Sequence, residues 1–108
     1  MQGLLQKKCV PCEGIGKAFT KKEVQAYLKK VENWEIKESK KIEKLFKFKN
    51  FVQAMDFANK ITEIAEQENH HPDLHISWGK VRVELWTHAL NGLTENDFIL
   101  AAKIDAIK

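Results

Sequence analysis

The chain has 108 residues, 44% of them apolar and 31% charged, which suits one globular domain and excludes a disordered polymer or a two-domain enzyme. Its 18 basic and 15 acidic side chains leave a formal charge of +3. The lysine pairs are interleaved with acids, with no arginine-rich stripe, so the pattern argues against direct nucleic-acid binding.

No stretch approaches the ~20 apolar residues of a membrane span, and the first twenty residues lack the apolar centre of a secretory signal. The expectation is a cytoplasmic protein with reduced thiols and no membrane partner. Residues 1–19 read as an extended N-terminal arm, and residues 20–108 as the single domain. The arm carries Cys9-Val10-Pro11-Cys12. A redox pair of this spacing normally opens a helix after a strand, where the helix end lowers a thiol pKa. Gly14 and Gly16 follow here, so the arm is expected to carry no chemistry. A structural zinc would need two further ligands, and there is no third cysteine.

Thr20 with Glu23 forms a capping box, and Val24, Tyr27, Leu28 and Val31 recur at helical spacing, so a first helix is expected from about Lys21 to Val31. Trp34-Glu35-Ile36 begins a strand, and Glu38 to Lys41 suits a hairpin turn. The alternation of Ile42, Lys44, Phe46 and Phe48 with Glu43, Leu45 and Lys47 marks a second strand. Asn50 caps the longest helix, which carries Phe51, Ala54, Met55, Ala58, Ile61, Ile64 and Ala65 on one broad stripe and ends near Asn69, ahead of Pro72. Leu74, Ile76 and Trp78, then Val81, Val83 and Leu85, form a second hairpin about Gly79-Lys80. Gly92 closes the next loop, and Thr94 caps a last helix with Asp97 at the third position. The order α-β-β-α-β-β-α predicts an α+β fold, a four-stranded antiparallel sheet with three helices on one face.

Three of the four histidines fall at element ends. His70 and His71 sit at the carboxyl end of the long helix, where positive charge is favoured. Glu66 lies four residues before His70, the spacing at which a helix carboxylate orients a ring and favours its imidazolium form. His88 ends the last strand, on the Trp86 side of the alternation. Histidines titrating near neutrality are the usual general acids and bases. Taken alone, each has a plainer role: His70 and His71 as helix caps, His75 as a solvent-facing strand residue, Glu66 as a solvated carboxylate, and Asp97 as half of a capping box. A three-histidine zinc site is disfavoured because adjacent histidines diverge, whereas helical metal pairs stand one turn apart.

The run Glu66-Gln67-Glu68-Asn69-His70-His71-Pro72-Asp73, the strand from Lys80 that ends in Thr87-His88, and Gly92-Leu93-Thr94 with Asp97 together resemble the pterin-4a-carbinolamine dehydratase family. Leu4-Leu5 and the Cys9–Cys12 unit resemble the arm of its microbial members. Two positions depart from the family pattern: Leu74 stands where an aromatic residue is common, and Asn69 where Asp is common. The resemblance implies a hydro-lyase that dehydrates a 4a-hydroxytetrahydropterin in tetrahydrobiopterin recycling, with no metal and no organic cofactor. It implies His70, His71 and His88 as catalytic residues. Glu66, Asn69, Pro72, Thr87, Ala89, Leu90 and Asp97 would join them around the substrate, with Glu66 orienting His70. It also implies a homodimer or homotetramer. The family contains binding modules that serve as dimerisation cofactors of another protein, and that is the alternative function.

Overall fold

The computed structural model describes residues 3–10 and 16–107; Cys12 and the Gly14 portion of the arm lie outside the described residues. Helix α1 spans Lys21–Leu28, strand β1 Glu35–Lys37, β2 Lys41–Lys47, helix α2 Phe51–Glu68, β3 Asp73–Ser77, β4 Lys80–Leu85 and helix α3 Glu95–Ile107. The strands form one antiparallel sheet in the order β1-β2-β4-β3, so the two hairpins join through β2 and β4. This is the α+β architecture expected from the element order.

Alternation decides which face each strand buries. Ile42 and Phe46 of β2 lie beside Leu85 and Val81 of β4, and all four are buried with Val83 against the helices. Phe57 and Ile61 of α2 and Phe98, Leu100 and Ile104 of α3 complete that core. Each buried side chain of this size contributes roughly 1.5–3 kcal/mol. Lys44 also points to the helix side. Its Nζ donates to Asp105 Oδ1 at 2.8 Å and to the Glu32 carbonyl at 2.9 Å. Leu45, Arg82 and His75 share the opposite, exposed face.

Local chemistry sets the element ends. Thr20 and Glu23 make the reciprocal capping box of α1. That helix stops at Leu28, earlier than the expected Val31, because the Lys30 N–H bonds to the Tyr27 carbonyl and tightens the last turn. The second hairpin turns at Trp78-Gly79, one residue before the expected position, since Ser77 pairs with Lys80. Gly79 is needed for close approach: a Cβ there would stand 2.9 Å from the Phe48 carbonyl oxygen, where β2 ends. The first hairpin has positive φ at both Glu38 and Ser39 without any glycine to relieve it.

The described part of the arm lies along α3. Leu4 is buried in the core within a 3₁₀ turn, Leu4–Gln6. Lys7 Nζ meets Glu95 Oε2 at 2.7 Å, and Tyr27 donates to the same oxygen at 2.9 Å. Lys103 Nζ donates to the Leu5 carbonyl at 3.0 Å.

Candidate active site

The site forms where α2 ends, β3 begins and β4 runs out. Asn69 follows α2 in the left-handed conformation, with φ 53° and ψ 40°, and its N–H bonds to the Ala65 carbonyl. Asparagine tolerates this conformation better than most residues. The turn takes His70 off the helical path, and the His70 N–H also returns to the Ala65 carbonyl. Helical spacing therefore no longer relates His70 to Glu66. Glu66 Oε2 instead meets His71 Nε2 at 2.6 Å. The expectation that Glu66 orients His70 is corrected by this geometry.

His70 has a different partner. Its Nε2 lies 2.7 Å from Asp97 Oδ1, and both residues are buried, 7% and 0% exposed at the side chain. Asp97 Oδ2 accepts the Thr94 N–H at 2.9 Å, the capping bond of α3, and the Thr87 hydroxyl at 2.9 Å. The Thr94 hydroxyl lies 2.9 Å from Thr87 Oγ1 and accepts the Asn96 N–H at 3.2 Å. The donor inventory gives this chain one direction. Asn96 N–H donates to Thr94, Thr94 O–H to Thr87, and Thr87 O–H to Asp97. The carboxylate then accepts from His70 Nε2–H, so that in the neutral ring the lone pair is on Nδ1. Among the described residues no buried side-chain nitrogen or oxygen lacks a partner.

In front of this network lies a cavity of about 220 Å³ lined by Asn69, His70, His71, Trp86, His88 and Ala89. His71 and His88 are exposed at its rim, 56% and 57% at the side chain. The His88 ring packs on Trp86 with centroids 4.2 Å apart, and its Nε2 is 3.8 Å from Asp73 Oδ2. Trp86 Nε1 donates to the same Asp73 oxygen at 3.1 Å. Lys40, from the β1–β2 turn, places its Nζ 5.5 Å from the Trp86 ring centre. A second, smaller hollow of about 120 Å³ shares His71 and is lined by Ile61, Thr62, Ala65, Pro72 and Leu74.

The structure thus brings Asn69, His70, His71, His88 and Ala89 together. Thr87 and Asp97 stand fully buried behind His70 rather than in the cavity wall, because their polar atoms are spent on one another and on Thr94. Pro72 lines the smaller hollow. Leu90 lies in the 3₁₀ turn His88–Leu90 beyond the rim, and Glu66 acts through His71. Asp73, Trp86 and Lys40 were not anticipated at the site. Trp86 was legible in principle, since it shares His88's side of the strand alternation.

A four-stranded antiparallel sheet backed on one face by helices, with a histidine-lined cavity at one sheet end, narrows the class to a small α+β enzyme type. The sequence model of the family described as Pterin 4 alpha carbinolamine dehydratase matches residues 17–107. A protein of Rickettsia canadensis carrying the same family name is 57% identical over 107 residues, 98% of each chain. Pterin-4-alpha-carbinolamine dehydratase 2, mitochondrial, of Arabidopsis thaliana is 44% identical over 97% of this chain and 59% of its own length. A crystal structure of a transcriptional coactivator/pterin dehydratase from Brucella melitensis superposes with a TM-score of 0.79 at 34% identity, covering 84% of this chain and 98% of that one. A pterin dehydratase-like RuBisCO assembly factor of the alpha-carboxysome shares the fold, with a TM-score of 0.60 at 22% identity over 69% of this chain and 88% of that one. The chain belongs to the pterin 4 alpha carbinolamine dehydratase family, and with it to the hydro-lyases. Among the described residues no helix is long and apolar enough to cross a membrane.

Proposed function

We propose that the protein dehydrates a 4a-hydroxytetrahydropterin to the quinonoid dihydropterin by histidine general acid–base catalysis, as a step of tetrahydropterin recycling. The C4a–O bond breaks, and the hydroxyl takes a proton and leaves as water. The N5–H proton is taken by a base, and its electron pair forms the N5–C4a double bond. One acid and one base suffice for this balance.

The observation that carries the reading is the buried His70–Asp97 pair behind a cavity whose rim bears His71 and His88. Asp97 holds His70 in one tautomer with a lone pair on Nδ1, the arrangement of a positioned proton acceptor. His88, packed at a tilt on Trp86 and near Asp73, supplies the second proton-transfer group. The exposed His71, tied to Glu66, is suited to hold the pterin. Leu74, where an aromatic side chain is common, lines the small hollow beside His71 and offers aliphatic rather than ring contacts there.

Turnover of a synthetic carbinolamine pterin by the intact protein tests the activity. His70→Ala and His88→Ala are each expected to lower the rate by roughly 10²–10⁴-fold. Full turnover in both variants would overturn the acid–base assignment.

The same reading includes self-association as a homodimer or homotetramer. Phe51 and Val52 are exposed at the start of α2, Ile76 is exposed on the outer strand β3, and Trp78 is exposed in the turn that follows it. Covering such an edge and such a patch is the usual reason for small sheet proteins to pair. Light scattering is expected to give a species larger than one chain, and a stable monomer at micromolar concentration would refute it.

A further inference from the structure

The two groups of the buried pair come from different elements. His70 follows the carboxyl end of α2, and Asp97 sits in the first turn of α3. One short stretch of the N-terminal arm touches both ends. The Cys9 N–H donates to Glu68 Oε1 at 2.8 Å, on the last residue of α2. The Val10 N–H donates to Asn96 Oδ1 at 3.0 Å, and Asn96 Nδ2 donates to the Val10 carbonyl at 2.7 Å. The Cys9 thiol lies 3.6 Å from the Asn96 carbonyl.

Asn96 is 2% exposed, and its carboxamide is engaged through both its oxygen and its nitrogen with one arm residue, as a neighbouring strand would be. Its backbone N–H begins the hydrogen-bond chain through Thr94 and Thr87 to Asp97. Glu68 is nearly buried too, 8% exposed, and its other oxygen lies 3.7 Å from Lys103 on α3. The arm is itself tethered to α3 through Lys7 with Glu95 and Lys103 with the Leu5 carbonyl.

We propose that Cys9 and Val10, through Glu68 and Asn96, clamp the end of α2 to the start of α3 and so set the His70–Asp97 geometry. Asn96 and Glu68 are positioning residues, acting through the pair without touching substrate. A clamp of this kind matters because proton transfer depends steeply on distance, whereas the clamp's own bonds are modest. The part played by Cys9 is mainly that of its backbone N–H, which any residue but proline supplies. This inference rests on the catalytic reading of His70, and its test separates the two.

The measurement is proton NMR of the His70 Nε2–H beside kcat and KM for Asn96→Ala, Glu68→Ala and Glu68→Gln. Asn96→Ala is expected to broaden or shift the His70 ring-proton signal. It should lower kcat by roughly tenfold to a hundredfold with KM little changed. Glu68→Ala acts in the same direction, and Glu68→Gln, which keeps an acceptor for the Cys9 N–H, restores both readouts. Should Asn96→Ala fail to fold, the Glu68 pair carries the test alone. An unchanged His70 signal and kcat in folded Glu68→Ala or Asn96→Ala, with only a lower melting temperature, would overturn the clamp. A perturbed signal with intact turnover would support the clamp and overturn the catalytic assignment of His70.

Discussion

The two walls of the cavity are built on opposite plans. Behind His70 every polar atom is buried and spoken for, through Asp97, Thr87 and Thr94. At the rim, His71 and His88 are more than half exposed and face single carboxylates, one of them at 3.8 Å. The buried wall resists change because any lost partner leaves a desolvated group unpaired. The exposed wall tolerates change because water replaces what is removed. A site built this way can fix one proton-transfer group in advance and leave the other side free to settle on the substrate.

Breaking the buried wall has the largest expected effect. Asp97→Ala removes the acceptor of His70 Nε2–H, Thr87 O–H and Thr94 N–H together. It should cost roughly 2–4 kcal/mol of stability and lower turnover to the level of His70→Ala. Thermal unfolding and turnover in the same preparation check both. The two histidine variants then sharpen the contrast between the walls. His70→Ala should destabilise by about 1–3 kcal/mol, because it strands the buried Asp97 carboxylate. His88→Ala should stay within about 0.5 kcal/mol of wild type, as surface substitutions do. Equal losses of stability would erase the distinction.

Glu66→Gln probes the exposed wall more gently. The Glu66–His71 pair is solvated, so its loss should cost under about 1 kcal/mol of binding, at most about a fivefold rise in KM, and leave kcat unchanged. A fall in kcat without a change in KM would tie Glu66 to proton transfer after all.

A separate effect, confined to high pH, lies in the alkaline range. Burial and the carboxylates of Glu68 and Asp97 push the Cys9 thiol from its ordinary 9.0 up to about 12. A raised pKa means that the native state holds the proton more tightly than the unfolded chain. The resulting stability is complete below pH 9 and is lost as pH rises towards 12. Unfolding in denaturant between these limits should show a decline that Cys9→Ser flattens. Burial and the hydrogen bond to Glu95 also hold the Tyr27 phenol above its ordinary range, so part of the decline persists in that variant. A Cys9→Ser profile that superposes on wild type would remove the thiol from this account.

Much of this was legible in the sequence, for physical reasons. Period-two alternation placed β2 and β4, and a broad helical stripe placed α2, because burial on one face writes its own repeat. The histidine cluster was found through its spacing and its family resemblance. What failed was the pairing within the cluster. Helical spacing joined Glu66 to His70, but that rule holds only while the helix continues, and Asn69 ends it in a left-handed turn. An asparagine ahead of His-His-Pro was the available signal. The partnership of His70 with Asp97 crosses from one helix end to another, and no local pattern encodes it. Asp97 could be read as a cap of α3, which it is, while its second oxygen does other work. The arm's sequence carries no sign of chemistry, and no cue in its composition points to the bonds that Cys9 and Val10 make at the ends of α2 and α3.

The arm contacts have a further consequence for the order in which the molecule assembles. Glu66 through Asp97 form one continuous stretch, so the cavity residues meet by closing short loops, as hairpins and helix–strand corners do. Val10 with Asn96, by contrast, joins nearly the two ends of the chain. Closing that loop costs more chain entropy and brings reward only after both helix ends exist. A chain refolding from denaturant should therefore form its sheet and cavity first and fasten the arm last, with full turnover trailing the recovery of β-structure.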